Sequence, residues 1–127
     1  MPQPAEEQHQ NIAVQDPGFL TYYSLLKYTG IKGNFVRLKE ENEFRMDPED
    51  LNEAIDDETR LIILNSPSNP TGGVLKKSEV ERVAEIAEER DIYLLTDEVY
   101  SKMTYDLPHH SPSIRDQCNE RTILLDG

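Results

Sequence analysis

The sequence is poor in cysteine, tryptophan and long apolar runs. It contains one cysteine and no tryptophan in 127 residues. Cys118 cannot form an internal disulfide, which favours a reducing compartment, so we expect a cytoplasmic protein. No apolar run approaches the ~20 residues that span a bilayer. The opening segment MPQPAEEQHQ lacks both the basic patch and the apolar stretch of a signal peptide, so we expect no membrane partner and no export.

Basic residues are also scarce. There are 13 Lys and Arg against 25 Asp and Glu, and the formal net charge is −12. Such a chain lacks the positive potential that phosphate backbones require, so we expect no nucleic acid partner. The length fits one domain around one core. Residues 1–11 are polar and predict a disordered or tag-like tail, which leaves residues 12–127 as the folded unit.

Short apolar runs alternate with helix-like segments along the rest of the chain. The runs are IAVQ from Ile12, NFVRL from Asn34, LIILN from Leu61, IYLLTD from Ile92 and TILLD from Thr122. This alternation is typical of βα units in a parallel sheet. LIIL, IYLL and TILL are continuously apolar, as strands covered on both faces must be. We therefore predict an α/β fold with a five-stranded, mainly parallel sheet and helices on both faces.

The intervening helices have recognisable ends. Gly30 predicts the end of the first helix, because glycine readily adopts the left-handed conformation. Asp47 is the predicted N-cap of MDPEDLNEAI. Ser78 and Glu81 have the spacing of a capping box at the start of the next helix. A short helix is expected near residues 113–117, in a stretch that is otherwise loop-like.

The residues directly after the apolar runs are the candidates for a site. Open parallel sheets bind ligands at the carboxyl ends of their strands. DPGF follows the first run, NSPSNPTGG the third and TDEVY the fourth. Together they place an aromatic ring, an Asn-Pro turn, a carboxylate and a phenol on one edge of the sheet. The pattern predicts a binding site at that edge.

NSPSNPTGG followed by LLTDEVY resembles the class I and II aminotransferases, the pyridoxal phosphate enzymes of the aspartate aminotransferase fold. The resemblance extends from about Ile12 to Gly127. A complete member of the family is considerably longer, so the chain resembles a central fragment of the cofactor-binding large domain. The resemblance implies the spatial strand order 2-1-3-4-5 and a cis Asn69-Pro70 bond, with Asp16-Pro17 as a second cis candidate.

The resemblance implies cofactor-binding roles for four residues. Asp97 matches the aspartate that pairs with the pyridine nitrogen and keeps the ring protonated, which makes the ring an electron sink. Tyr100 and Asn69 match residues that hydrogen-bond the phenolic oxygen of the ring. Phe19 stands where the family places an aromatic residue stacked on the ring, although some members have tryptophan there. No residue of the chain is assigned a catalytic or a metal-binding role.

The resemblance further implies that essential parts lie outside this sequence. The lysine of the internal Schiff base would follow Gly127, as would the arginine that binds the substrate carboxylate, and the phosphate-binding glycine-rich segment would precede the chain. We therefore expect the chain to be inactive, with weak or no pyridoxal phosphate binding. The parent would be a homodimer that transfers an amino group between an amino acid and a 2-oxo acid, and the fragment a monomer or weakly associated.

Alternatives remain open at this point. Other pyridoxal phosphate reactions, such as β-elimination, share these motifs. The chain could instead be a non-catalytic, flavodoxin-like α/β binding module in which Asp97 serves another ligand.

Several other polar residues are predicted to have no role in the site. Glu98 is interpreted as structural, and Lys102 belongs to no motif. His109 and His110 are adjacent loop residues without a third ligand and are expected at the surface. Cys118 is expected to be inert.

Overall fold

The chain folds as five parallel strands with helices on both faces of the sheet. A computed structural model describes residues 10–105, 108–114 and 120–126. The strands are β1 (Asn11–Asp16), β2 (Lys32–Arg37), β3 (Thr59–Asn65), β4 (Tyr93–Asp97) and β5 (Thr122–Leu125). The helices are α1 (Leu20–Thr29), α2 (Pro48–Ala54) and α3 (Lys77–Glu89), with short 3-10 helices at Glu40–Asn42 and Pro112–Ile114. The strand order is β2-β1-β3-β4-β5, and every pairing is parallel, so both predictions are confirmed.

The register brings the carboxyl ends of the central strands to one edge. At the end of β3, Asn65 is paired with Asp97 of β4, and Asp97 is paired in turn with Leu125 of β5. The segment DPGF leaves β1 at the same edge, where Asp16 is paired with Arg37. All three candidate segments therefore begin side by side.

The two faces of the sheet are covered unequally. The larger core lies under α2 and α3, and its fully buried members include Leu51, Ile62, Ile86 and Leu94. A smaller cluster on the other face contains Val14, Leu26 and Ile63 beneath α1. The apolar side chains of β5 are exposed, so the prediction that TILL is covered on both faces is wrong; this strand lies at the edge of the sheet. No helix in the described ranges is both long and apolar enough to cross a bilayer.

Two of the predicted helix ends agree with the structure. The side chain of Asp47 accepts a hydrogen bond from the Glu49 N–H at 2.9 Å and caps α2, as predicted. Gly30 ends α1 with φ 74° and donates its N–H to the Leu26 carbonyl. This backbone conformation carries little penalty for glycine.

The predicted capping box of α3 is wrong. The helix begins at Lys77, and Lys76 is its N-cap. The Glu79 carboxylate accepts the Lys76 N–H at 2.9 Å, so the capping carboxylate lies two residues before Glu81. The 3-10 helix Pro112–Ile114 occupies the start of the segment predicted as a short helix, and residues 115–117 lie outside the described residues.

Asn11 belongs to β1 and not to the tail in which the sequence placed it. Its side chain is 1% exposed, donates to Asp56 at 2.8 Å and accepts from Thr59 at 2.6 Å. Asn34 of β2 also donates to the Asn11 side chain. These bonds satisfy a buried amide and join β1 and β2 to the turn before β3. Residues 1–9 of the predicted tail lie outside the described residues.

This network makes stability depend on pH. The hydrogen bond from Asn11, followed by the bond from the Glu58 N–H, lowers the pKa of Asp56. A lowered folded-state pKa stabilises the fold above the unfolded value of about 3.9, and the stabilisation is lost as the pH falls through the folded-state pKa. In urea unfolding between pH 6 and pH 3, we expect Asp56→Asn to lose less stability than the wild type. Asp57→Asn is the matched control, and the same reduction in that variant would contradict the assignment.

Candidate functional site

The carboxylate of Asp97 lies at the centre of the candidate edge. Asp97 ends β4 and is only 7% exposed. The Tyr22 hydroxyl of α1 donates a hydrogen bond to its Oδ2 atom. The Val99 N–H donates to Oδ1 at 3.3 Å. A carboxylate has about four lone-pair sites, so these two bonds orient Asp97 and leave it able to accept from a ligand.

Tyr22 is a member of the site that the sequence analysis missed. Burial raises its pKa, and the hydrogen bond to Asp97 and the charge of that carboxylate raise it further. The hydroxyl is protonated at neutral pH, as an unperturbed tyrosine also is, and it acts as the donor. Its spacing offered a signal: Tyr22 lies three residues after Phe19, about one helical turn away, and thus faces the same edge.

Phe19 lies at the mouth of the site. It precedes α1 as its N-cap residue, and its ring is 38% exposed. It packs edge to face against Tyr22, with ring centroids 5.8 Å apart and an interplanar angle of 82°. This contact connects Phe19 to Asp97 through Tyr22.

Asn65 joins the turn of residues 69–72, here called the NPTG turn, to the end of β4. It is the last residue of β3 and is 5% exposed. Its Nδ2 donates to the Asp97 carbonyl at 3.1 Å, and its Oδ1 accepts the Asn69 N–H at 2.8 Å. Its own N–H donates to the side chain of Gln15 in β1. The sequence analysis named Asn65 only as the first letter of a motif and missed this role.

The turn after β3 has a specific backbone shape. Its Asn69-Pro70 bond is cis, as is Asp16-Pro17, and both agree with the expectations from sequence. Ser66-Pro67 is cis as well, which the sequence analysis did not anticipate. Gly73 must be small, because a Cβ there would lie 2.6 Å from the carbonyl oxygen of Phe44.

The turn brings the amide of Asn69 close to the phenol of Tyr100. The distance from Asn69 Nδ2 to Tyr100 Oη is 3.5 Å, and the contact is exposed to solvent. Both groups are hydrogen-bond donors, and their exposure lets them bind an acceptor placed between them. Tyr22 connects Phe19 to Asp97, and Asn65 connects Asp97 to Asn69. With the contact between Asn69 and Tyr100, all four predicted site residues are connected, and they come from three separate strand ends.

The residues judged non-functional from sequence lie in different surroundings. Lys102 is exposed in the turn after Tyr100. His110 is partly buried beside α3. The surface position expected for His109 is wrong, because its side chain is 16% exposed and lies against Glu98. Cys118 lies outside the described residues.

Comparisons with known proteins agree in fold and family. The pattern of the family "Aminotransferase class I and II" matches residues 3–125. A probable aspartate aminotransferase of Methanocaldococcus jannaschii is 39% identical over 116 residues, which are 91% of this chain and 30% of that protein. An aromatic aminotransferase structure from Pyrococcus horikoshii superposes with a TM-score of 0.88 at 37% identity, covering 93% of this chain and 32% of that one. The chain thus spans about a third of its relatives, and it belongs to the class I and II aminotransferase family.

Proposed function

We propose that this chain is the central part of the large domain of a pyridoxal phosphate-dependent aminotransferase, with Phe19, Asn69, Asp97 and Tyr100 as its cofactor-binding residues. One observation supports this proposal above the others. Four residues with side chains of the required chemical types, from three separate strand ends, belong to one network of side-chain and backbone contacts at the carboxyl edge.

The donors and acceptors of this edge fit pyridoxal phosphate. Asp97 offers a carboxylate to the protonated pyridine nitrogen. The hydrogen bonds that it accepts from Tyr22 and Val99 leave lone pairs free for that contact. Asn69 and Tyr100 offer two adjacent donors to the anionic ring oxygen. The exposed ring of Phe19 provides a stacking surface. When bound, the cofactor supplies an electron sink for negative charge at the α carbon of an amino acid.

The residues of the chain would then orient the ring and set its charge. Asp97 would hold the proton on the ring nitrogen, and Tyr22 would hold Asp97 by keeping its own proton. Asn65 would keep the NPTG turn in register with β4, so that Asn69 and Tyr100 donate to the same oxygen. Solved structures named for aspartate and for aromatic aminotransferases share this fold, so the proposal names amino acid and 2-oxo acid substrates only as classes.

We further propose that the chain alone does not transfer amino groups. The resemblance implies a Schiff-base lysine outside these residues, which supports this proposal, and Lys102 is exposed and is not among the residues whose contacts define the site. Three or four contacts of about 1 kcal/mol each do not exceed an association cost of 4 kcal/mol or more. Binding of pyridoxal phosphate should therefore be millimolar or weaker, and the chain should be a monomer or only weakly associated.

A titration with pyridoxal phosphate tests the proposal. We expect weak binding by absorbance or fluorescence quenching, loss of this binding in Asp97→Ala, and no transfer from an amino acid above the rate of free cofactor. Transfer above that rate that disappears in Asp97→Ala would overturn the proposed inactivity. Binding that is unchanged in both Asp97→Ala and Tyr100→Phe would overturn the proposed site and favour a binding module of another kind.

A further inference from the structure

The Glu98 carboxylate and the His109 imidazole are in contact at the end of β4, on the face of the sheet opposite to Asp97. The distance from His109 Nε2 to Glu98 Oε2 is 3.0 Å, and the two side chains are 16% and 9% exposed. The Thr96 hydroxyl donates to the other carboxylate oxygen of Glu98 at 3.0 Å. Successive residues of a strand point to opposite faces, so Thr96 and Glu98 lie on the α3 side while Asp97 faces α1.

Glu98 is also the first residue of the turn that carries Tyr100. Its N–H donates to the Leu125 carbonyl of β5, and its carbonyl accepts the Ser101 N–H, both at 2.9 Å. The Tyr100 carbonyl then accepts the Met103 N–H at 2.8 Å. A displacement of Glu98 would therefore move the turn and the phenol of Tyr100 with it.

His109 follows this turn in the sequence, and its side chain packs back against Glu98. Within the described part of the chain, neither ring nitrogen has an aligned hydrogen bond, although both are buried. The carboxylate of Glu98 lies 3.0 Å from Nε2, close enough to offset part of the cost of burying this ring. The nearby charges from α3 are Lys77 and Glu81, which line the groove beside His110. His109 itself is in contact with the Glu98 carboxylate.

We propose that Glu98 and His109 are positioning residues for Tyr100. Their contact closes the loop between them and holds the turn at the place where the Tyr100 hydroxyl meets the Asn69 amide. The pair touches neither substrate nor cofactor and acts only through Tyr100. The effect on the cofactor rests on the proposed function, whereas the effect on the turn does not.

The turn itself is tested by amide hydrogen exchange. We expect His109→Gln to speed exchange of the Ser101 and Met103 amides about tenfold, since the turn would open more often. The matched control is His110→Gln, which should leave both amides unchanged. Glu98→Gln keeps an acceptor for Thr96 but removes the charge, and it serves as the second variant should His109→Gln fail to fold. Unchanged exchange in the variant that folds would overturn the proposal.

The action through Tyr100 is tested by a double-mutant cycle on pyridoxal phosphate affinity. We expect His109→Gln to weaken binding about threefold to tenfold in the wild type and to have no effect when Tyr100 is already phenylalanine. Equal losses in the two backgrounds would show that His109 does not act through Tyr100 and would overturn the proposal. Complete absence of cofactor binding by the wild type would contradict the weak binding proposed for this chain alone, and the exchange measurement would still decide whether the pair holds the turn.

Discussion

Replacing Asn65 by alanine should lower the free energy of unfolding by about 2 to 4 kcal/mol. The substitution removes the donor to the Asp97 carbonyl and the acceptor of the Asn69 N–H. Both lost bonds lie in a buried or partly buried environment, where an unpaired backbone group retains its desolvation cost. The end of β4 and the NPTG turn would also lose their direct connection.

Urea unfolding measures the loss, and the weak cofactor binding should fall in the same variant. Asn52→Ala is the matched control, because Asn52 lies in α2 and its side chain accepts an exposed bond from Arg90. That control should change stability by less than about 0.5 kcal/mol. Similar values for the two variants would contradict a special role for Asn65.

Replacing Tyr22 by phenylalanine should cost about 1 to 3 kcal/mol, because a hydrogen bond to a charged group is stronger than a neutral one. The ring and its packing against Phe19 are retained, so the change isolates the hydroxyl that donates to Asp97. Tyr28→Phe is the control on the same helix, since Tyr28 is 91% exposed. We expect no measurable change there, and a loss equal to that of Tyr22→Phe would contradict the prediction.

An alkaline titration tests the same hydrogen bond between Tyr22 and Asp97 by changing the charge of Tyr22. Burial is the largest cause of the raised pKa of Tyr22, followed by the hydrogen bond and the charge of Asp97. Protonated Tyr22 contributes its full stabilisation of the fold below the ordinary tyrosine pKa of about 10, and this contribution is lost as the pH rises through the raised pKa. When tyrosinate absorbance is followed against pH, Asp97→Asn should lower the pKa of one late-titrating tyrosine, but not fully to the ordinary value, because burial still raises it. An unchanged titration curve would contradict the pairing.

The sequence alone determined the local elements and the type of fold. Continuous apolar runs predict buried parallel strands because both faces of such strands are covered. Most of β3 and β4 is buried in this way, whereas Tyr93 of β4 and the apolar residues of β5 are exposed. Asp47 and Gly30 marked helix ends because capping depends on neighbouring residues. The strand order and the four candidate site residues came from the resemblance of two motifs to a family, not from periodicity.

The tertiary structure decided which side chains support the site. Tyr22 meets Asp97 across 75 positions, and Asn65 meets the Asp97 carbonyl across 32. The sequence analysis treated His109 as a surface residue because the contact with Glu98 requires the loop to return to β4. The spacing of residues along a chain predicts helices, strands and caps, since these depend on near neighbours. Contacts between strand ends depend instead on register and crossover geometry, which exist only once the sheet has formed.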